Sequence, residues 1–241
     1  MLPQDERVAR ATIYEKNSRL LFEQWKHKAS SGTVDHKNGV FVRDGIVCPQ
    51  KWFSADIRPL FLLKEAYGGE SDWDLISDHL CSDRKMSKLW TRIAQWAHGI
   101  LHTDGQHIAP YSKYEATTFS ENEDLKQIAV INVKKSGGRP VSDRDDLQAY
   151  AEYDRTELLR QLEACDPTVI VCGYTAYLLE TILDSRFREI CNENLFYRIR
   201  LNGHEVLVLD YWHPSNQYPD LMNYCGLIDA YHFARKEQRS N

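Results

Sequence analysis

The stretch 58-RPLFLLKEAYGGESDWD-74 decides the fold. Leu60-Phe61-Leu62-Leu63 is a short, unbroken apolar run, the pattern of a strand buried on both faces. It breaks at once into Lys64, Glu65 and Tyr67, followed by the pair Gly68-Gly69. A strand buried on both faces needs helices above and below it, and its carboxyl end is where open α/β sheets hold ligands. The same plan recurs in EDLKQIAVINVKKSGGRPVSD (123–143), in TVIVCGYTAYLLETIL (168–183) and in HEVLVLDYWHPSN (204–216).

Helical spacing fills the intervals. SKLWTRIAQWAHGIL (87–101) and DLQAYAEYDRTELLRQLEACDP (146–167) each read as one helix, the second ended by Asp166-Pro167, and NYCGLIDAYHFARKEQ (223–238) reads as a closing helix. Asp5 to Lys28 carries Val8, Ile13, Leu20, Leu21, Phe22 and Trp25 as the apolar face of an opening helix. VFVRDGIVCPQKWF (40–53) reads as a strand or hairpin turning at Asp44-Gly45. No repeat, low-complexity tract or linker interrupts the chain. The expectation is a single α/β domain over residues 1–241, with residues 1–45 as an N-terminal helical extension. It is a three-layer α/β/α sandwich around a mostly parallel, four-stranded central sheet.

Composition narrows the function classes. With 30 basic and 35 acidic residues, a net charge of −5 and 42% hydrophobic residues, the chain has an ordinary globular make-up and no overall basic excess for nucleic acid. A local basic face is still compatible with that balance. The first residues lack the apolar core of a secretory signal, and no run approaches the roughly 18 apolar residues of a membrane span, so a cytoplasmic protein without membrane attachment is expected. Six scattered cysteines without a C-x-x-C pair read as free thiols.

Polar side chains concentrate at three strand tips: Glu65 and Tyr67, then Asn132 and Lys134, then His213 and Ser215. In order and spacing LFLLKEAYGGE, AVINVKKSGGRP, LLRQLEACDPTVIVCGYTA and HPSN resemble the uracil-DNA glycosylase superfamily, over about residues 57–235. The pattern is most similar to the bacterial and archaeal iron–sulphur branch. That branch has Gly-Glu-Ala-Pro-Gly at the first tip, where this chain has Lys64 in place of the first glycine and Tyr67 in place of the proline. The cluster cysteines are absent, and Lys135 stands where one ligand would follow, so no cluster and no other cofactor is expected.

The resemblance implies a fold of that superfamily and a base glycosylase that hydrolyses the N-glycosidic bond of uracil or another deaminated base flipped out of DNA. Glu65 takes the water-activating or charge-stabilising role, and His213 hydrogen-bonds the base carbonyl as negative charge builds there. Asn132 reads the base edge, Ser215 belongs to the loop that pinches the phosphate backbone, and Tyr218 or Leu221 supplies a wedge. The chemistry suits these types: a carboxylate steadies a cation-like sugar, a donor meets the leaving oxyanion, and an amide offers one donor and one acceptor. Tyr67 is placed to stack on an extruded base. Lys64, Lys134, Lys135, Arg139 and Arg144 flank the tips as phosphate contacts, although Asp143, Asp145 and Asp146 adjoin them. The alternative is a non-catalytic member of the same fold that binds a nucleobase, nucleotide or nucleic-acid segment.

His98, His102 and His107 lie close in sequence, the first two at helical ligand spacing. With no Glu in the metalloprotease position and Gly99 inside the helix, no metal site is expected there.

Overall fold

The computed structural model describes residues 4–113, 118–139, 141–189 and 195–237. The chain runs α1 (Gln4–Lys26), β1 (Val42–Arg43), β2 (Gly45–Ile46), α2 (Pro49–Trp52), β3 (Pro59–Tyr67) and β4 (Trp73–Asp74). A single π-helical turn (Ile76–Leu80) then leads to α3 (Lys88–His102), and a 3-10 turn (Leu125–Gln127) leads to β5 (Ala129–Gly138). After these come α4 (Arg144–Tyr153), α5 (Arg155–Cys165), β6 (Val169–Gly173), α6 (Ala176–Leu183), β7 (Phe196–Leu201), β8 (His204–Tyr211) and α7 (Asp220–Glu237).

The four apolar runs become adjacent parallel strands, but the sheet is wider than expected. It has six strands in the order β2-β5-β3-β6-β8-β7, with β2 and β7 antiparallel at the two edges, so it is mixed. The β7–β8 hairpin turns on Asn202-Gly203, both at positive φ (52° and 79°), the conformation that an Asn-Gly hairpin turn requires. β2 does not pair with β1 as a hairpin across Asp44-Gly45. β1 pairs in parallel with β4, while β2 pairs with β5, which leaves Asp44 between two sheets. Gly45 is needed because a Cβ there would collide with the Tyr14 hydroxyl, which accepts the Ile46 N–H.

Helices cover both faces. Leu60, Leu62, Ile131, Ile170 and Val208 meet α1, α5 and α6 through Trp25, Leu162 and Leu178. The alternate residues Phe61, Leu63, Val130, Val171 and Leu209 meet α3 and α7 through Trp96, Ile93, Leu227 and Tyr231. Each such side chain, fully buried, contributes about 1.5–3 kcal/mol.

Residues 4–46 are built into this core rather than appended to it. The buried face of α1 is Ala11, Tyr14, Leu21, Phe22 and Trp25, whereas Val8, Ile13 and Leu20 are exposed. The segment read as one helix over 146–167 is two, broken at Asp154. The buried Asp154 carboxylate turns inward to the equally buried His36, with Oδ2 2.7 Å from Nε2.

Candidate functional site

At the carboxyl ends of β3, β5 and β8 lies a cleft of about 670 Å3. Glu65, Tyr67, Asn132, His213 and Ser215 all line it. Lys64 and Arg139 also line it, and Trp73, His79, Leu89 and Trp90 supply aromatic and apolar wall. Trp73 and His79 come from the long connection between β3 and α3, which carries no assignment in the sequence, while Leu89 and Trp90 stand in the first turn of α3 itself. The available signal is Trp73 and His79 in ESDWDLISDHL (70–80) and Trp90 in the helical segment that follows. His79 packs with its ring centroid 4.7 Å from that of Phe119 and 6.0 Å from that of Trp90. Burial, then the nearby Arg84, holds its pKa below the ordinary histidine value.

The His213 loop is held from below. Arg92 of α3, only 1% exposed, donates to the carbonyls of Pro214 (2.7 Å), Asn216 (2.9 Å) and Tyr218 (3.1 Å), and its Nε donates to Asp220 (3.0 Å). Asn216 and Asn223 exchange amide hydrogen bonds of 2.7 and 3.1 Å across the same loop. Asp220 therefore has its charge met by Arg92. Nothing in the sequence around Arg92 marks this role, because the loop it holds lies 122 residues further on.

Within the loop, the Ser215 backbone N–H donates to His213 Nδ1 (3.2 Å), and the Ser215 hydroxyl lies 2.6 Å from the same nitrogen. An Nδ1 that accepts must be unprotonated, so the neutral ring carries its proton on Nε2, a donor for the cleft. Burial, reinforced by Lys64, pushes the His213 pKa down to about 4, so the imidazole is neutral at ordinary pH. Burial in turn lowers the Lys64 pKa. Ser215 thus orients His213 rather than facing outward alone.

Glu65 is almost wholly buried, its side chain 5% exposed. Its Oε2 lies 3.5 Å from Lys134 Nζ, and its Oε1 has no hydrogen-bond partner among the described residues. Lys134 lines the neighbouring groove instead of this cleft, with Asp146 2.5 Å away. Desolvation alone would lower the Lys134 pKa, but Asp146 and Glu65 outweigh it, so the ammonium is retained.

Asn132 is 2% exposed, and its side-chain N–H donates to Asp44 Oδ2 at 3.1 Å. A carboxylate only accepts, so this contact fixes the amide orientation and leaves Oδ1 and the second N–H for a ligand.

Lys135 corrects the expectation of a phosphate contact. It is completely buried, with Nζ 2.5 Å from Asp44 Oδ1. Arg144 stacks over Tyr177 at 4.8 Å, and Arg139 stays on the rim of the cleft. Tyr67 is 68% exposed, and Tyr218 and Leu221 are about half-exposed beyond the His213 loop. Trp212 joins them, with its ring 5.5 Å from that of Tyr218.

Among the described residues, no group of His, Cys, Asp and Glu spaced for a metal lies on this cleft. Cys48, Cys81, Cys165, Cys172 and Cys225 are free, and Cys191 lies outside the described residues. No helix among the described residues is long and apolar enough to cross a membrane. No family model matches the chain, and no curated protein matches it either.

Proposed function

We propose that the cleft takes a nucleobase and that the protein is a DNA base glycosylase with a fold of the uracil-DNA glycosylase type, acting in the cytoplasm on uracil or another deaminated base flipped from DNA. The observation that carries the reading is the meeting of Glu65, Asn132 and His213, from three separate strand ends, around one hollow with aromatic walls. Asn132 Oδ1 accepts the ring N–H of the base, and its free amide hydrogen donates to the adjacent carbonyl. As the C1′–N bond breaks, the electron pair leaves with the base, and the His213 Nε2–H donates to the carbonyl oxygen where that charge gathers. The released base anion takes up a proton from solvent, while Glu65 faces the cation-like sugar and orients the water whose oxygen forms the new bond to C1′ as its O–H proton passes to the carboxylate. Its partnerless, buried Oε1 is the kind of acceptor that folding disfavours and a substrate or water would satisfy. Tyr67 stacks on the base, Lys64 and Arg139 meet phosphates, and Tyr218, Leu221 and Trp212 enter the gap in the stack.

A second reading, binding of a nucleobase or nucleotide without turnover, is favoured by one contact. Lys134 stands 3.5 Å from Glu65 and offsets the charge that the chemistry needs. The test is excision from oligonucleotides carrying uracil, hypoxanthine or xanthine. Base release that disappears in His213→Ala supports the glycosylase. Folded protein that binds such oligonucleotides or free bases without release above buffer removes it and leaves the second reading.

A further inference from the structure

We propose a binding site for a divalent transition metal of the Zn2+ class, built from His98, His102 and Asp124 at the opposite end of β5 from the cleft. His98 and His102 are four residues apart in the last turn of α3, so both rings project from one helix face. Their ring centroids are 4.5 Å apart. Asp124, on the turn that leads into β5, comes up against both. His98 Nδ1 is 3.1 Å from one carboxylate oxygen, and His102 Nε2 is 3.5 Å from the other. The three ligand atoms all lie within 4.8 Å of one another.

Bonds of about 2.0–2.2 Å to Zn2+ in a tetrahedron put ligand atoms about 3.4 Å apart. Each nitrogen–oxygen separation is close to that edge, but the two run to different oxygens of Asp124, so the carboxylate or a ring turns to bring three ligand atoms to one centre. Two imidazoles and one carboxylate form a donor set of borderline softness, suited to Zn2+ and, more weakly, to Co2+. The carbonyl end of α3 adds the negative end of its dipole, which favours a cation there. Asp124 is 14%, His98 31% and His102 55% exposed, so the set is partly shielded and still reached from solvent. His107, the third histidine of the sequence cluster, is 81% exposed and pairs with Asp104 instead. The ion would tie the end of α3 to the lead-in of β5, the strand that carries Asn132.

Titration calorimetry of the chelator-treated full chain with Zn2+, and visible absorption with Co2+, test this. The expected result is one equivalent bound, with a Co2+ band free of thiolate charge transfer and a raised melting temperature. Changing an outer-shell partner already costs 10- to 100-fold in affinity, so loss of a ligand in His102→Ala or Asp124→Asn should cost more than about 100-fold. His107→Ala should bind unchanged. Because His102 is more than half-exposed, its variant should keep the wild-type melting temperature without metal, and Asp124→Asn gives the same readout by a conservative change. No binding at millimolar Zn2+, undiminished affinity in both variants, or a Co2+ spectrum with thiolate character would each overturn the site.

Discussion

The Asp44 carboxylate is the anchor of Asn132: a single oxygen, Oδ2, accepts both the backbone N–H (2.8 Å) and the side-chain N–H (3.1 Å) of that residue. The other oxygen accepts from Lys135 (2.5 Å) and from Gln161 (2.8 Å). An acid from the short segment between β1 and β2 therefore sets the direction in which the amide of β5 can read a ligand. The N-terminal region thereby supports a side chain that lines the candidate cleft.

Asp44→Asn should consequently be costly. Asp44 and Lys135 side chains are both fully buried, and neutralising one leaves the other an uncompensated interior charge. Breaking such a pair costs about 3–5 kcal/mol, which urea denaturation would register as a lower midpoint. Burial already lowers the Lys135 pKa, with Asp44 opposing it, so the variant lowers it further. The unfolded state then binds the proton that the folded state has lost, so stability should recover as pH rises toward the ordinary lysine value of about 10.4. A midpoint unchanged at neutral pH would contradict this.

His213 should titrate far below an ordinary histidine. With its pKa near 4, the ring stays a neutral Nε2–H donor at pH 5, where a free histidine of pKa about 6.5 is charged. Any activity that uses this donor should hold to pH 5 and fall as pH drops through about 4. Between about 6.5 and 4 the unfolded chain binds the extra proton, so this residue's contribution to stability declines over that window and levels off below it. Lys64→Gln should raise the pKa only part of the way, because burial is the larger cause. Ring proton shifts followed by NMR against pH would measure both values.

Arg92→Lys should loosen the His213 loop without unfolding the sheet. Lysine has three donors on one point, against a planar fork that reaches three carbonyls and Asp220. Each buried acceptor left unmet costs about 1–3 kcal/mol. Hydrogen exchange should rise across residues 214–220 while β6 and β8 stay protected. Equal exchange in the two proteins would show that the loop is held by its own contacts.

Much of this was legible in the sequence because two kinds of signal are local. Apolar runs such as Leu60–Leu63 report burial on both faces directly, and polar breaks at Glu65, Asn132 and His213 mark where those strands end. The rest depended on contacts distant in sequence. Asp44-Gly45 has the composition of a hairpin turn, but Asp44 is drawn to Lys135 and Asn132, some 90 residues on. Asp154 sits inside helical spacing, yet His36 pulls its carboxylate in and breaks the helix. Val8, Ile13 and Leu20 outrank Ala11 and Tyr14 in hydrophobicity, yet it is Ala11 and Tyr14 that face the core. Asn202-Gly203 is a local hairpin signal in the sequence, and it marks the edge strand β7.

Gly99→Ala tests the packing of α3 on α7. Glycine there looked like a weak point in a helix, and alanine would improve helix propensity by about 0.8–1.0 kcal/mol. The structure reverses the expected sign. A Cβ at Gly99 would collide with Ile228 Cδ1, lie 2.6 Å from Ile228 Cγ1 and 2.9 Å from the Tyr224 ring. The Ile228 tip can rotate, but the buried ring, whose hydroxyl is fixed to the Ala109 carbonyl, cannot follow. Overpacking typically costs about 1–3 kcal/mol, so the net should be destabilising, read as a lower melting temperature. A stabilised variant would mean that the two helices separate freely.

Glu65→Gln separates chemistry from binding. The change keeps size and shape, and Lys134 retains Asp146 as its partner, so stability should move little. If Glu65 orients the water and faces the forming cation, base release should fall by about 100- to 10,000-fold, the usual worth of a positioned acid or base. On the same reading, affinity for an uncleavable substrate analogue should stay within a few-fold, because Asn132 and His213 would still hold the base. Single-turnover release and equilibrium binding, measured on the same preparation, distinguish the outcomes. Release and binding that fall together would make Glu65 a binding residue, and release that does not fall would take it out of the chemistry altogether.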